Sequence, residues 1–258
     1  HSYWSRPPDS IVIAGQLANP TSRGKQRETQ KPLNVALIDF DVQFGSAALA
    51  LDIQPRKDLI EIIRSPKRLD AHFMEGVLER HRSGVRLLSA PAHLTPLDAI
   101  SSEAASAILN VAASMHDIVI VDLPSAMTDW TGAVLARADH NLLVTTPAVR
   151  AVAGARRLLD AAQQFGIDST RWSLVFNRAE GLLQSGDKID QAKRALGTPV
   201  RAILPEDAAA SQAGDRGRLI WETAPNSKFA KEMHELSAFI GQLLGERAKP
   251  QQQRMNAR

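Results

Sequence analysis

The sequence predicts a three-layer α/β/α domain built on a mostly parallel, twisted sheet. Short continuous apolar runs carry that expectation, because strands covered on both faces lose the in–out alternation of half-exposed ones. Helical apolar spacing fills the stretches between the runs, and strands that alternate with helices build right-handed parallel crossovers. A length of 258 residues suits one large domain of this kind.

The clearest strand is Val35-Ala36-Leu37-Ile38. Ile118-Val119-Ile120-Val121, Leu142-Leu143-Val144 and Trp172-Ser173-Leu174-Val175-Phe176 read the same way. Val85-Arg86-Leu87-Leu88 and Val200-Arg201-Ala202-Ile203-Leu204 complete the set, although arginines interrupt them. Upstream, Ile11-Val12-Ile13-Ala14 is also strand-like, since β-branched residues suit a buried strand. Val152, Ala155, Leu159, Ala162 and Phe165 keep helical spacing, as do Phe229, Met233, Leu236, Ile240 and Leu243. The latter helix lacks a Lys/Arg-rich polar face, so packing on the sheet is expected rather than membrane anchoring. No internal repeat is present. The chain divides into an atypical N-terminal segment over 1–27, the α/β domain over 28–246 and a polar, frayed tail over 247–258.

Composition removes several classes of function. At 44% hydrophobic and 23% charged, the chain is globular rather than disordered. With no cysteine, disulfide scaffolds, thiolate zinc sites, iron–sulfur clusters and cysteine nucleophiles are excluded. A formal charge of +3 is too small an excess to mean nucleic-acid binding. No apolar run reaches the roughly 18 residues of a spanning helix, and His1–Pro8 lacks a secretory apolar region, so a cytoplasmic protein is expected. The start also lacks an initiator Met, which fits a fragment of a longer protein or a processed or tag-scarred start. Neither a Gly-x-Ser-x-Gly elbow nor a Gly-x-Gly-x-x-Gly fingerprint occurs, which argues against α/β-hydrolases and dinucleotide dehydrogenases. His81, His93 and His116 have no partner at metal-ligand spacing and read as structural. Arg150, Arg156 and Arg157 read as a solvated helix face.

Ligands in open α/β sheets bind beyond the carboxyl ends of the strands. The Val35 strand ends in Asp39-Phe40-Asp41-Val42-Gln43-Phe44-Gly45, which puts two carboxylates where a metal-bound phosphate could sit. Helix capping is the other reading of that pair. The Ile118 strand ends in Asp122-Leu123-Pro124, an apolar run followed by Asp, the Walker-B arrangement for orienting Mg²⁺ or its waters. The later strands end in Asn177-Arg178 and Leu204-Pro205-Glu206-Asp207. An Asn amide donates and accepts, which suits a purine edge, and a plain turn residue is the alternative at each place.

In order and spacing these segments resemble the MinD/ParA-type deviant-Walker ATPases of the P-loop NTPase fold. Leu37-Ile38-Asp39-Phe40-Asp41-Val42-Gln43-Phe44-Gly45 is similar to their switch I, and Asp117–Pro124 to their Walker B and switch II. Within that superfamily the chain looks closest to pilus-assembly proteins of the tight-adherence (Flp, type IVb) system, the CpaE/TadZ type. The features are Asp41–Leu49; Asp122-Leu123-Pro124 followed by Trp130-Thr131, Val134-Leu135 and Ala138-Asp139; and Pro205-Glu206-Asp207 with a later Gly217-Arg218. The resemblance covers roughly residues 28–245. It implies that Asp41 positions or activates the attacking water, that Asp39 supports the Mg²⁺ shell and that Asp122 is the Walker-B carboxylate. It also implies that Asn177 contacts adenine, with Pro205 and Asp207 in the loop flanking the base. ATP and Mg²⁺ are the implied ligands, and a homodimer closed face to face across nucleotide is the implied assembly. The implied function is a cytoplasmic assembly and localisation factor for pili, at the cell pole or peripheral to the inner membrane, acting with the pilus secretion machinery there. DNA is not an expected partner. A ParA-like partitioning ATPase on DNA is the alternative function, and a nucleotide-independent scaffold on the same fold a third.

One piece of the pattern is missing. A glycine-rich phosphate loop with its lysine should precede the Asp39 strand by one helix, which takes about ten residues or more. The upstream pair Gly24-Lys25 is followed by Gln26 where a Ser/Thr hydroxyl should bind Mg²⁺. Only nine residues separate Lys25 from Val35, Pro32 among them, so the pair reads as fortuitous. Without a nest of backbone N–H groups and a lysine, ATP binding is expected to be impaired. Two explanations are open: a natural non-hydrolysing relative that serves as an interaction platform, or a frameshifted or mis-joined segment in place of the true strand–loop–helix. Either way, a sheet defect beside Val35–Ile38 is expected, with low order and exposed apolar surface ahead of residue 28.

Overall fold

The computed structural model describes residues 9–19, 33–55, 57–179 and 182–255. At its centre is β1 (Val35–Asp39), whose five residues are all buried. It pairs in parallel with β3 (Arg86–Leu88) on one side and β4 (Ile118–Asp122) on the other. The short β2 (Glu79–Arg80) adds an antiparallel edge to β3. A second, fully parallel ladder runs β5 (Asn141–Thr145), β6 (Trp172–Ala179), β7 (Val200–Pro205). Each strand run expected downstream of residue 33 is present.

Helices cover both faces, as the apolar runs require. On one face lie α1 (Asp9–Ala18), α2 (Ala47–Ala50), α9 (Ala208–Asp215), α10 (Ile220–Thr223) and α11 (Lys228–Met255). Their buried residues Val12, Leu17, Ala210, Trp221, Phe229 and Met233 form one core with Leu37, Leu87, Val175 and Leu204. On the other face, α3 (Leu59–Ile63), α4 (Ala71–Val77), α5 (Ser102–Met115) and α6 (Asp129–Arg137) pack on Ile38 and Leu88. Beneath the second ladder, α7 (Val149–Gln164) and α8 (Leu182–Leu196) bury Leu174 and Phe176. The three-layer α/β/α architecture is therefore as expected.

Three expectations need correction. The Ile11–Ala14 run is helical, not a strand, and lies within α1. A run of four apolar residues fits either template. The helix wins because Val12, Ile13, Ala14 and Leu17 all bury against β1 and α11, none more than 8% exposed. The apolar surface ahead of residue 28 is accordingly covered over 12–18. The sheet discontinuity also lies elsewhere: β1 is paired on both edges, and no pairing joins β4 to β5 among the described residues. Side chains at that break are partly exposed, Val144 to 45%. Over 247–255 the polar tail continues α11, which extends to Met255. The Gly24-Lys25 pair lies outside the described residues, and in chain order it follows α1, on the wrong side for a loop that should precede that helix.

Helix α1 docks by close approach. A Cβ on Gly15 would stand 2.7 Å from the Trp221 ring and 2.9 Å from Leu219. Gly15→Ala gains about 1 kcal/mol of helix propensity, but overpacking costs about 1–3 kcal/mol. It is expected to lower the thermal midpoint by a few degrees. The control Gly154→Ala, on the exposed side of α7 with nothing near its Cβ, should raise it. Thermal denaturation of both variants reads the difference, and a stabilised Gly15→Ala would mean that α1 is not docked on α10.

Candidate functional site

The parallel register of β1 and β4 sets Asp39 directly opposite Asp122. Asp39 is only 1% exposed. Its Oδ1 accepts the Asp41 N–H at 3.1 Å and its Oδ2 the Ala47 N–H at 3.1 Å, so this carboxylate ties the chain leaving β1 to the start of α2. The loop closes tightly because position 45 is glycine: a Cβ there would stand 2.6 Å from both Asp39 oxygens and 2.4 Å from the Ala90 Cβ. Asp41 forms an Asx turn, its Oδ1 accepting from Phe44 N–H at 3.0 Å and Gln43 N–H at 3.3 Å. The loop-organising reading of these aspartates is thus seen directly in this segment.

Ser10, in the first turn of α1, donates its hydroxyl to Asp122 Oδ2 at 3.1 Å. The strand-like pattern of Ile11–Ala14 hides this residue from the sequence. A polar residue just ahead of a helical apolar run was the signal available. The helix thus begins beside the Asp122 carboxylate, where a helix dipole favours negative charge.

Burial pushes the Asp39 carboxyl up to about 7; Asp122 opposite adds to the shift, while the Ala47 and Asp41 N–H bonds oppose it. Burial likewise pushes Asp122 up to about 6, opposed by the Ser10 hydroxyl and aided by Asp41. A cation placed here relieves this repulsion. No three acidic or histidine side chains converge to hold a metal among the described residues. Mg²⁺ does not need three, because it takes one or two carboxylates and completes its shell with waters and substrate phosphates. Oxygen donors from Ser10 and Asp122 fit such a cation.

The remaining expected residues gather at the carboxyl end of the second ladder. Asn177 in β6 accepts the Arg178 N–H at 2.7 Å through its Oδ1, and Arg178 sits at φ 51°. Ala179 is in register with Pro205, and Asp207 caps α9 through the Ala209 and Ala210 N–H groups. The structure therefore brings Asn177, Pro205 and Asp207 to the ends of adjacent strands. Among the bystanders, His81 is buried against the Ser83 hydroxyl, His116 caps α5, and Arg156 pairs with Asp160. A cavity of about 220 Å³ lined by Arg156, Gln163, Trp172 and Thr198 lies at the amino end of β6, away from the carboxylates.

The raised carboxyl values have a definite linkage sign. The folded chain holds protons on Asp39 and Asp122 that the unfolded chain has released, so between about pH 4 and pH 7 these two groups make stability fall as pH rises. Asp122→Asn is therefore expected to add about 1–3 kcal/mol more stability at pH 8 than at pH 4. Denaturant melts at the two pH values check this. Carboxyl-carbon NMR should show midpoints near 6 and 7, and millimolar Mg²⁺ should move the Asp122 midpoint downward if that group holds the cation.

No family model matches the chain. Curated relatives do. Over 215 residues it is 23% identical to the septum site-determining protein MinD of Thermotoga maritima, covering 80% of this chain and 76% of that one. Over 221 residues it is 25% identical to a ParA family protein of Chlamydia muridarum, covering 79% and 83%. Among solved structures, a ParA family ATPase from Chlorobium tepidum superposes with a TM-score of 0.75 at 24% identity, over 91% of this chain and 95% of that one. MinD of Pyrococcus horikoshii complexed with Mg-ADP gives 0.72 at 15% identity, over 95% and 94%. The chain thus has the fold of the MinD/ParA-type P-loop NTPases, and the relatives it resembles by sequence include MinD and ParA proteins.

Proposed function

We propose that this protein is an assembly and positioning factor of the MinD/ParA type, acting in tight-adherence pilus biogenesis, whose Mg²⁺ half-site is intact and whose phosphate nest is weak. The observation that carries the nucleotide part is the Ser10 hydroxyl on Asp122, opposite Asp39, at the start of α1. In this reading Ser10 and Asp122 hold Mg²⁺. The buried Asp39 sets the loop, and Asp41 orients water with its Oδ2, which accepts no hydrogen bond among the described residues. Bound Mg²⁺ would supply charge neutralisation for the phosphates of ATP. Asn177, Pro205 and Asp207 are the adenine side. The Mg-ADP held by the Pyrococcus horikoshii MinD structure, which shares this fold, supports that ligand class.

The weakness of the nest follows from the sequence just ahead of α1. Tyr3-Trp4-Ser5-Arg6-Pro7-Pro8 contains no glycine and no lysine, and its two prolines carry no N–H. The donors that cradle phosphates in a glycine-rich loop are therefore fewer. The pilus role rests on the pattern of Trp130-Thr131 after Asp122 and Pro205-Glu206-Asp207 before Gly217-Arg218. Among the described residues no helix is long and apolar enough to cross a membrane.

Calorimetric titration with ATP and Mg²⁺ tests the nucleotide part. We expect binding far weaker than micromolar, no turnover above background, and loss of the Mg²⁺ dependence in Ser10→Ala and Asp122→Asn. A micromolar dissociation constant with turnover would overturn the weak nest, and no binding at any concentration would leave a nucleotide-independent scaffold. Deleting the gene tests the pilus part: lost surface pili with normal partitioning is the expected phenotype. A partitioning defect with intact pili would favour action on DNA.

A further inference from the structure

We infer that Trp130 is a positioning residue that locks the Asp41 loop to the loop around residues 91–97, while its neighbour Thr131 holds the loop around 123–128, so that the two halves of the carboxylate site move as one body. The inference rests on the functional reading above only for its nucleotide consequence.

The tie begins in the first turn of α6, where Trp130 is 2% exposed. Its indole meets the Phe40 ring edge to face, with centroids 5.6 Å apart at 73°. Phe40 is fully buried and lies between Asp39 and Asp41, with its own N–H donating to the Asp122 carbonyl at 2.9 Å. The other end of the indole reaches the next loop: Nε1–H donates to the Leu97 carbonyl at 2.8 Å. That loop touches the Asp41 loop a second time, the Thr95 N–H donating to the Val42 carbonyl at 3.2 Å. Thr131 secures the third loop. It is 3% exposed, its hydroxyl lies 2.7 Å from the Thr128 hydroxyl, and it reaches the Ala126 carbonyl.

A buried indole N–H needs an acceptor, and here the choice of partners makes a link: Trp130 gives its single donor to the Leu97 carbonyl and its ring to Phe40, the residue between the two candidate carboxylates. Adjacent residues in one helical turn thus hold three separate loops at the carboxyl edge. Motion of the Asp41 loop on taking up a ligand would be carried to 95–97 through this ring, a packed element with directed contacts at both ends.

Hydrogen exchange on the full chain, with and without a fluorescent ATP analogue and Mg²⁺, tests the tie. Without ligand, Trp130→Phe keeps a ring beside Phe40 but loses the N–H donor. The amides of Phe44, Gly45 and Thr95 should then exchange about tenfold faster, while those of Leu37, Ile38 and Ile120 stay within about twofold. An equal increase everywhere would reduce Trp130 to a core filler, and no increase in the loops would remove the tie altogether. If Trp130→Phe does not fold, Phe40→Leu cuts the tie at its ring end and spares the indole bond, and ligand protection should likewise fail to reach 95–97. With ligand bound to the wild type, protection should spread from 42–45 to 95–97 and 126–128, and in Trp130→Phe it should no longer reach 95–97. Spreading to 95–97 in the variant overturns the inference. Absence of ligand binding in the wild type overturns the nucleotide reading alone, because the ligand-free exchange pattern still decides the tie.

Discussion

The site depends on a carboxylate at the end of a strand buried on both faces. Removing Asp39 from water is costly unless its oxygens are met, and they are met by two backbone N–H groups from the segment that follows. Those two bonds dictate that the chain curls back within a few residues. The curl demands glycine at 45, starts α2 at Ala47 and leaves Asp41 at the rim, where it organises its own turn. Asp122 then stands opposite because β4 is in register with β1. Desolvation, with Asp122 adding repulsion at the buried Asp39, is the electrostatic strain that a cation would relieve.

The second constraint is the division of the sheet. β4 and β5 are not hydrogen-bonded to each other among the described residues, so helices join the two ladders. Helix α1 packs on β1, β4 and α11, and α11 packs on β7, which makes one apolar core across both ladders. The carboxylates belong to the first ladder, and Asn177, Pro205 and Asp207 to the second. Any ligand that engages both sets therefore reports on the packing of α1 and α11 as much as on the strands. Ser10 sits at this junction, one end of its helix on Asp122 and the other buried against α11.

The loops at the carboxyl edge are held from the opposite face. Trp130 and Thr131 emanate from α6, whose Val134 is buried with Ile38 and Phe40. The site is thus supported by α1 and α2 on one side of the sheet and by α6 on the other.

Much of this was legible in the sequence. The apolar runs ending in Asp39 and Asp122 located both strands and both carboxylates, since strands buried on two faces are continuous apolar segments and a charge can appear only where they end. Trp172–Phe176 and Val200–Leu204 were equally plain, as was the Phe229–Leu243 face that packs on the sheet. Residues 9–18 were not. Ile11-Val12-Ile13-Ala14 satisfies strand and helix templates alike, and only contact with β1, Trp221 and α11 selects the helix. With that helix misread, Ser10 was invisible, and the defect was assigned to β1 rather than to the interval between β4 and β5. The sequence by itself determined the architecture and the carboxylates, because local periodicity encodes burial. Tertiary structure alone decided the strand neighbours, the partner of Asp122 and the reach of Trp130, because these are long-range pairings that local pattern does not encode.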